Sequence, residues 1–199
     1  MTPPRTRDAA ATKARILAVA RTHFATHGYD RTTVRAVAAD AEVAPNLITR
    51  YFDGKRGLFR EATEIDLGVG ATLPGPLDTM GHRIATRTVG RWEDAAGADP
   101  LLTMLRAAAA DPELAASVGD YFRRQATEPL HAALSGPAAA ERAAAVTSVI
   151  TGVVVQRYVW RSGPLADASA GALRDWLGAV LQRVLTAPLP PLAAVEPAR

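Results

Sequence analysis

The 199-residue sequence predicts an all-α fold in two parts, a small basic head and a larger helical body. Three observations carry this. Apolar residues recur at helical spacing in almost every segment, alanine is abundant, and alternating β-branched runs are missing. Gly and Pro cluster between Leu67 and Leu77 (LGVGATLPGPL), which reads as a linker or long bend. Charge divides near the same place: residues 1–60 hold eleven Lys/Arg and five Asp/Glu, the remainder twelve against fifteen. The expected domains are 8–62 and 78–187, with a Pro-rich tail over 188–199 expected to be disordered.

The head reads as three helices and the start of a fourth. Thr12 to Phe24 sets Ile16, Leu17, Ala20 and Phe24 at helical spacing, and His27-Gly28 ends that helix. Thr32 is a candidate N-cap for a helix over 33–41 with Val34, Val37 and Ala38 inward. Glu42-Val43-Ala44 is a three-residue turn. A short helix follows, Pro45 to Tyr51, with Pro at its first position. The next begins near Asp53-Gly54 and contains Leu58, Phe59 and Ala62.

The body reads as helices near 78–94, 99–110, 111–134 with a kink before Pro129, 137–161 and 168–186. Two of them point to an interface. The last carries a stripe of Leu173, Trp176, Leu177, Val180, Leu181 and Val184. The one before it has no charge from Ala143 to Gln156 and must be covered on all sides, by a second subunit or as a central core helix. Val153, Trp176, Leu177, Val180, Leu181 and Val184 are the expected dimer contacts.

Several classes of protein are excluded by composition. With no cysteine, disulfide scaffolds and thiolate metal sites are ruled out. No apolar block marks a signal peptide, and the longest uncharged run of the second half, fourteen residues, is shorter than the roughly 20 a membrane span needs. The chain is expected to be cytoplasmic and to need no cofactor. No acid/base cluster, phosphate loop or nucleophile elbow suggests an enzyme. His23 and His27 are four apart on one helix, but no HExxH pattern follows them, and they read as structural.

The basic head suggests a polyanion partner. A helix of about seven residues is too short to be stable alone, because isolated helices need roughly 12–15 residues. Yet the one from Pro45 to Tyr51 carries polar tips: Asn46, Thr49, Arg50 and Tyr51. Helix, three-residue turn and short helix form a helix-turn-helix, whose second helix lies in the major groove of double-stranded DNA. Asn46 suits adenine, Thr49 a thymine methyl or a phosphate, Arg50 guanine or a phosphate, and Tyr51 a phosphate. Thr33, Arg35 and Pro45 complete the candidate surface. Lys55 and Arg56 open the next helix, where backbone N–H groups add to the attraction for a phosphate.

The stretch TTVRAVAADAEVAPNLITRYFDGKRGLF resembles the DNA-binding head of TetR-type transcriptional regulators, over about residues 10–60. The spacing of Thr33, Ala38, Val43, Phe52, Lys55 and Leu58 matches. DPLLTMLRAAAADPE resembles a C-terminal variety found in high-GC actinobacteria. The resemblance implies an all-α homodimer with a small-molecule pocket in its larger domain, acting as a ligand-released repressor at a pseudo-palindromic operator. Three positions depart from the family's habit. Glu42 stands where Gly is frequent, Ala44 where Ser caps the reading helix, and Thr49 where Tyr contacts phosphate. Trp92, Met104, Tyr121, Phe122, Gln125, Thr147, Thr151 and Gln156 are the candidate ligand contacts, with Tyr158 beside them; their sparse charge suggests an apolar or neutral ligand. A DNA-binding regulator without an inducer is the alternative.

Overall fold

The computed structural model describes residues 5–64, 66–94, 99–109, 111–190 and 192, with side chains from residue 8 onward. Among the described residues every regular element is helical. The chain forms two compact units, residues 1–65 with 98–120, and residues 66–97 with 121–199.

The first unit contains α1 (Arg5–Arg31), α2 (Val34–Asp40), α3 (Pro45–Phe52), α4 (Gly54–Thr63), α6 (Pro100–Ala108) and the start of α7 (Pro112–Phe122). Gly28 breaks α1 one turn before its end, at φ 76 and ψ 177, a conformation open to glycine. Ile16, Ala20 and Phe24 of α1 are fully buried with Val37, Ala38, Ile48, Phe52, Leu58 and Phe59. The Phe24 and Phe59 rings meet edge to face at 4.9 Å, and Tyr29 meets Phe59 at 5.0 Å. Arg21 donates to the Ala62 carbonyl at the end of α4, a favourable place for a cation. Thr32 closes the break by donating to the Gly28 carbonyl.

One boundary differs from the sequence reading. The segment Ala98–Asp120 groups with the head rather than with the body. The cause is burial: Leu101, Leu102, Met104 and Ala107 are apolar and buried on α6, which packs against α1 and α4. Asp99 caps α6 by accepting from the Leu101 N–H, and Pro100 occupies its first turn. Ala110, included in the expected helix, lies outside the described residues.

The second unit is organised by α5 (Met80–Asp94) and α11 (Ala170–Thr186). These two helices touch almost backbone to backbone. A Cβ on Gly81 would lie 2.4 Å from the Gln182 backbone nitrogen, and one on Gly178 would lie 2.7 Å from the His82 ring. Glycine at both positions permits this approach. Leu173, Leu177, Leu181 and Leu185 fill the seam with Ile84, Ala85 and Val89. The Gly/Pro segment is an ordered bend of two short turns, Val69–Thr72 and Leu77–Thr79. Arg83 holds it, donating to the carbonyls of Thr72, Leu73 and Pro76 and to the Thr79 hydroxyl.

The kink expected before Pro129 is a widened π turn, Arg123–Thr127, which leads into α8 (Glu128–Ala133). Pro129 has no N–H and its ring clashes with the carbonyl four residues back, and widening the helix relieves this. A second π turn, Val155–Trp160, extends α9 (Ala139–Val154), and a short α10 (Pro164–Asp167) follows. Ala139–Trp160 is thus one continuous helical segment of 22 residues. By length and composition alone it could cross a membrane, contrary to the estimate from its uncharged run. Only 22% of its most apolar stretch is buried within the chain, so this helix is not covered on all sides by the protein itself. Of the expected tail, Pro191 and residues 193–199 lie outside the described residues.

Candidate nucleic-acid interface

The interface is built on α2, the turn after it, and α3. Thr33, not Thr32, is the N-cap of α2, its hydroxyl accepting from the Ala36 N–H at 3.1 Å. That helix ends in a Schellman arrangement: Glu42 N–H donates to Ala39 and Val43 N–H to Ala38. The arrangement needs a left-handed residue at Glu42, which has φ 53. A glycine would adopt this freely, whereas a side chain pays roughly 1–2 kcal/mol of steric strain. Ala44 then starts α3 without any side-chain cap.

Helix α3 has two faces. Ile48 and Phe52 are buried and tie it to the head. Pro45, Asn46, Thr49 and Arg50 are exposed together on the opposite face, while Tyr51 is half-buried with Arg50 over its ring. Arg35 is exposed on α2. Positions 45, 46, 49 and 50 share a face because a helix repeats every 3.6 residues. A tight corner ends α3: Asp53 and Gly54 both have positive φ. The corner also needs Gly57, where a Cβ would fall 1.6 Å from the Phe52 carbonyl oxygen. The sequence reading missed Gly57, although a glycine inside a helix is a signal of close approach.

The two cations that open α4 differ in their surroundings. Lys55 Nζ donates to the Asp30 carbonyl at 3.1 Å and sits 4.4 Å over the Tyr29 ring. Burial lowers its pKa, and the Asp30 charge opposes the shift. An ammonium has three donors, so this bond still leaves it able to reach a phosphate. Arg56 instead pairs with Glu113 in the first turn of α7 and, at 3.4 Å, with Asp111 just before that helix. Its guanidinium is thus engaged within the unit, although its side chain stays 55% exposed beside Lys55. His23 has a structural role, its Nε2 lying 2.7 Å from the Asp40 carboxylate and joining α1 to α2. No group of three metal-ligating side chains occurs among the described residues.

The candidate ligand contacts separate. Met104 is buried on α6, in the segment that groups with the first unit, whereas the other candidates belong to the second. Trp92 is buried against Tyr158, with ring centroids 5.5 Å apart. Glu93 accepts from the Tyr158 hydroxyl at 2.7 Å and pairs with Arg157 at 3.0 Å. Burial, then the bond to Glu93, pushes the Tyr158 pKa up to about 12. Tyr121 is buried beside Phe122, Gln125 lies in the first π turn, and Gln156 is exposed in the second. The Thr147 hydroxyl bonds Thr127 and the Ala143 carbonyl, and Thr151 is half-buried.

The expected dimer contacts also need correction. Leu177, Leu181 and Val153 are 0%, 0% and 3% exposed within a single chain, so they offer almost no surface to a partner. The leucine stripe is consumed by α5, because Gly81 and Gly178 let the two helices close on it. Trp176 remains 47% exposed, and Val180 and Val184 are half-buried.

Comparison with known proteins agrees with this architecture. Residues 16–62 match a family model described as bacterial regulatory proteins, tetR family. Residues 78–185 match one described as a tetracyclin repressor-like C-terminal domain. No curated protein matches the chain. Among solved structures, a TetR-family regulator from Streptomyces coelicolor A3 is 30% identical, covering 93% of this chain and 98% of its own, with TM-score 0.68. The fatty acid degradation regulator FadR from Bacillus halodurans is 15% identical over 88% and 99%, with TM-score 0.65. A regulator of the TerR/AcrR family from Aquifex aeolicus VF5 is 15% identical over 87% and 99%, with TM-score 0.61. With both domains matched and the reading helix in place, the chain belongs to the TetR family of DNA-binding transcriptional regulators.

Proposed function

We propose that this regulator is a cytoplasmic homodimeric repressor, not an enzyme, that leaves a pseudo-palindromic operator when a small apolar or neutral ligand binds its second unit. The observation that carries the DNA half is the amphipathic α3, with Ile48 and Phe52 fixed inside while Asn46, Thr49 and Arg50 are presented outward. A two-fold dimer supplies two such helices, and its site mirrors that symmetry. Support for the dimer comes from α9 and α11. Ala144 and Ser148 are exposed on the uncharged part of α9, Trp160 is exposed at the end of the π turn that extends it, and Trp176 is exposed on α11. A second copy covers such a face by an isologous contact. Support for the ligand comes from the aromatic and hydroxyl side chains of the second unit: Trp92, Tyr121, Phe122, Thr147 and Thr151.

Footprinting with fluorescence anisotropy tests this reading. Lys55→Met should weaken binding to every sequence and reduce the salt slope by about one unit, the signature of a lost phosphate contact. Asn46→Ala or Arg50→Ala should instead relax base preference, by about 1–3 kcal/mol per contact if each reaches a base edge. A single asymmetric half-site in the footprint would sink the dimer reading. A screen in which no small molecule changes operator affinity would favour a regulator without an inducer.

A further inference from the structure

Tyr29 lies just past the break in α1, and its ring carries a cation. Gly28, at φ 76, turns the chain there. Two bonds close the turn: the Thr32 hydroxyl donates to the Gly28 carbonyl at 2.8 Å, and the Thr32 N–H to the Tyr29 carbonyl at 3.3 Å. The Tyr29 ring is stacked on Phe24 at 6.1 Å and meets Phe59 edge to face at 5.0 Å. Both phenylalanines are buried, at 1% and 2% exposure, so they fix the ring. Lys55 Nζ sits 4.4 Å over that ring and donates to the Asp30 carbonyl at 3.1 Å. We infer that Tyr29 is a positioning residue for DNA binding: with the Asp30 carbonyl it forms a cradle that aims the Lys55 ammonium at a phosphate.

Spacing along α4 explains why one ring serves two purposes. Lys55 and Phe59 are four residues apart on that helix, so both reach Tyr29 from the same face. Phe59 locks the ring into the core of the head, and Lys55 uses the ring's π face. Such a face is electronegative and attracts an ammonium. Of the three N–H groups of the ammonium, one goes to the Asp30 carbonyl and the ring covers a second direction, which leaves a donor for a phosphate. A lysine on a bare surface has many rotamers and loses that freedom when it meets a phosphate. Here the fold has already restricted it. The positioning role rests on the phosphate contact of Lys55 in the proposed function, whereas the cradle itself does not.

The experiment uses the full chain and a fluorescein-labelled duplex of mixed sequence, because a phosphate contact carries no sequence information. Proton NMR reads the cradle first. The Lys55 ε-methylene should be shifted upfield by the ring current in wild type and in Tyr29→Phe, and should return to its ordinary position in Tyr29→Leu. In anisotropy, Tyr29→Leu should weaken duplex binding about threefold to tenfold, the range of a partly desolvated cation–π contact, and Tyr29→Phe should bind as wild type does. Pentafluorophenylalanine in place of Tyr29 keeps the shape of the ring but reverses the charge of its face, and should weaken binding as leucine does. In a Lys55→Met background none of these changes should alter affinity, because their effect passes through Lys55.

An ordinary ε-methylene shift in wild type overturns the cradle. Equal affinity with phenylalanine and pentafluorophenylalanine, or equal losses from Tyr29→Leu with and without Lys55, makes Tyr29 a packing residue and overturns its positioning role. Tighter binding by Tyr29→Leu overturns it too, since the ring then withholds Lys55 from DNA. A Lys55→Met variant that binds the duplex as well as wild type overturns the phosphate contact of the proposed function, and the positioning role with it. In that case the upfield shift persists, which separates it from failure of the cradle.

Discussion

At Glu42 the chain keeps an acidic side chain in a left-handed conformation, and at Ala44 it leaves the reading helix uncapped. Both positions sit in the turn that aims α3, and both are suboptimal by simple rules. Glu42→Gly should therefore stabilise the head by about 1 kcal/mol, and Ala44→Ser by about another 1 kcal/mol through a new bond to the first turn. Urea denaturation of the two single variants and the double would measure this. A loss of stability in Glu42→Gly would mean that the glutamate makes a compensating contact. A second residue-scale prediction concerns Tyr158, whose pKa is raised to about 12 by burial and by Glu93. A raised pKa favours the neutral phenol in the fold. The stabilisation is complete below the unfolded value near 10 and is lost as pH rises through about 12. Stability measured across that window should fall in wild type and fall less in Tyr158→Phe. Identical alkaline profiles would refute the burial argument.

Among the elements, the pair α5 and α11 depends most on two small residues. A Cβ at Gly81 meets backbone atoms of α11, which cannot rotate away as a side chain can. Gly81→Val should push the helices apart and cost about 1–3 kcal/mol, the usual penalty of overpacking. At roughly 2–4 °C per kcal/mol for a chain of this size, calorimetry should show a clear fall in Tm. An unchanged Tm would mean that α11 shifts without cost. The helices themselves were legible from periodicity, because each buries one stripe. The π turn before Pro129 was legible as a kink, since a missing N–H acts locally. The second π turn, Val155–Trp160, carries no proline and had no sequence signal.

For the whole molecule the discriminating residue is Trp176, on the face of α11 that the chain leaves uncovered. Trp176→Glu should yield folded monomers by light scattering, with an unchanged helical spectrum and a loss of binding to a full operator. Leu177→Ala, on the opposite face, should leave the subunit count unchanged. It should cost about 2–5 kcal/mol of stability, the range for emptying a buried leucine site. A Trp176→Glu variant that remains a stable dimer would place the interface elsewhere.

The sequence alone determined the all-α class, the helix-turn-helix and the face of α3 that carries Asn46, Thr49 and Arg50. These follow from neighbours three or four residues apart, so the spacing that sets them is visible along the chain. The resemblance drew attention to Glu42, where Gly is frequent, and the structure showed that this residue is left-handed. Tertiary structure decided which unit α6 joins, which partner Arg56 takes and which face of α11 is left uncovered. Each of those depends on residues far apart in the chain: Arg56 with Glu113, Gly81 with Gly178, Met104 with the core of the head. A stripe of leucines announces that it will be buried. Only the close approach permitted by two distant glycines shows that the burial is against α5 rather than against another molecule.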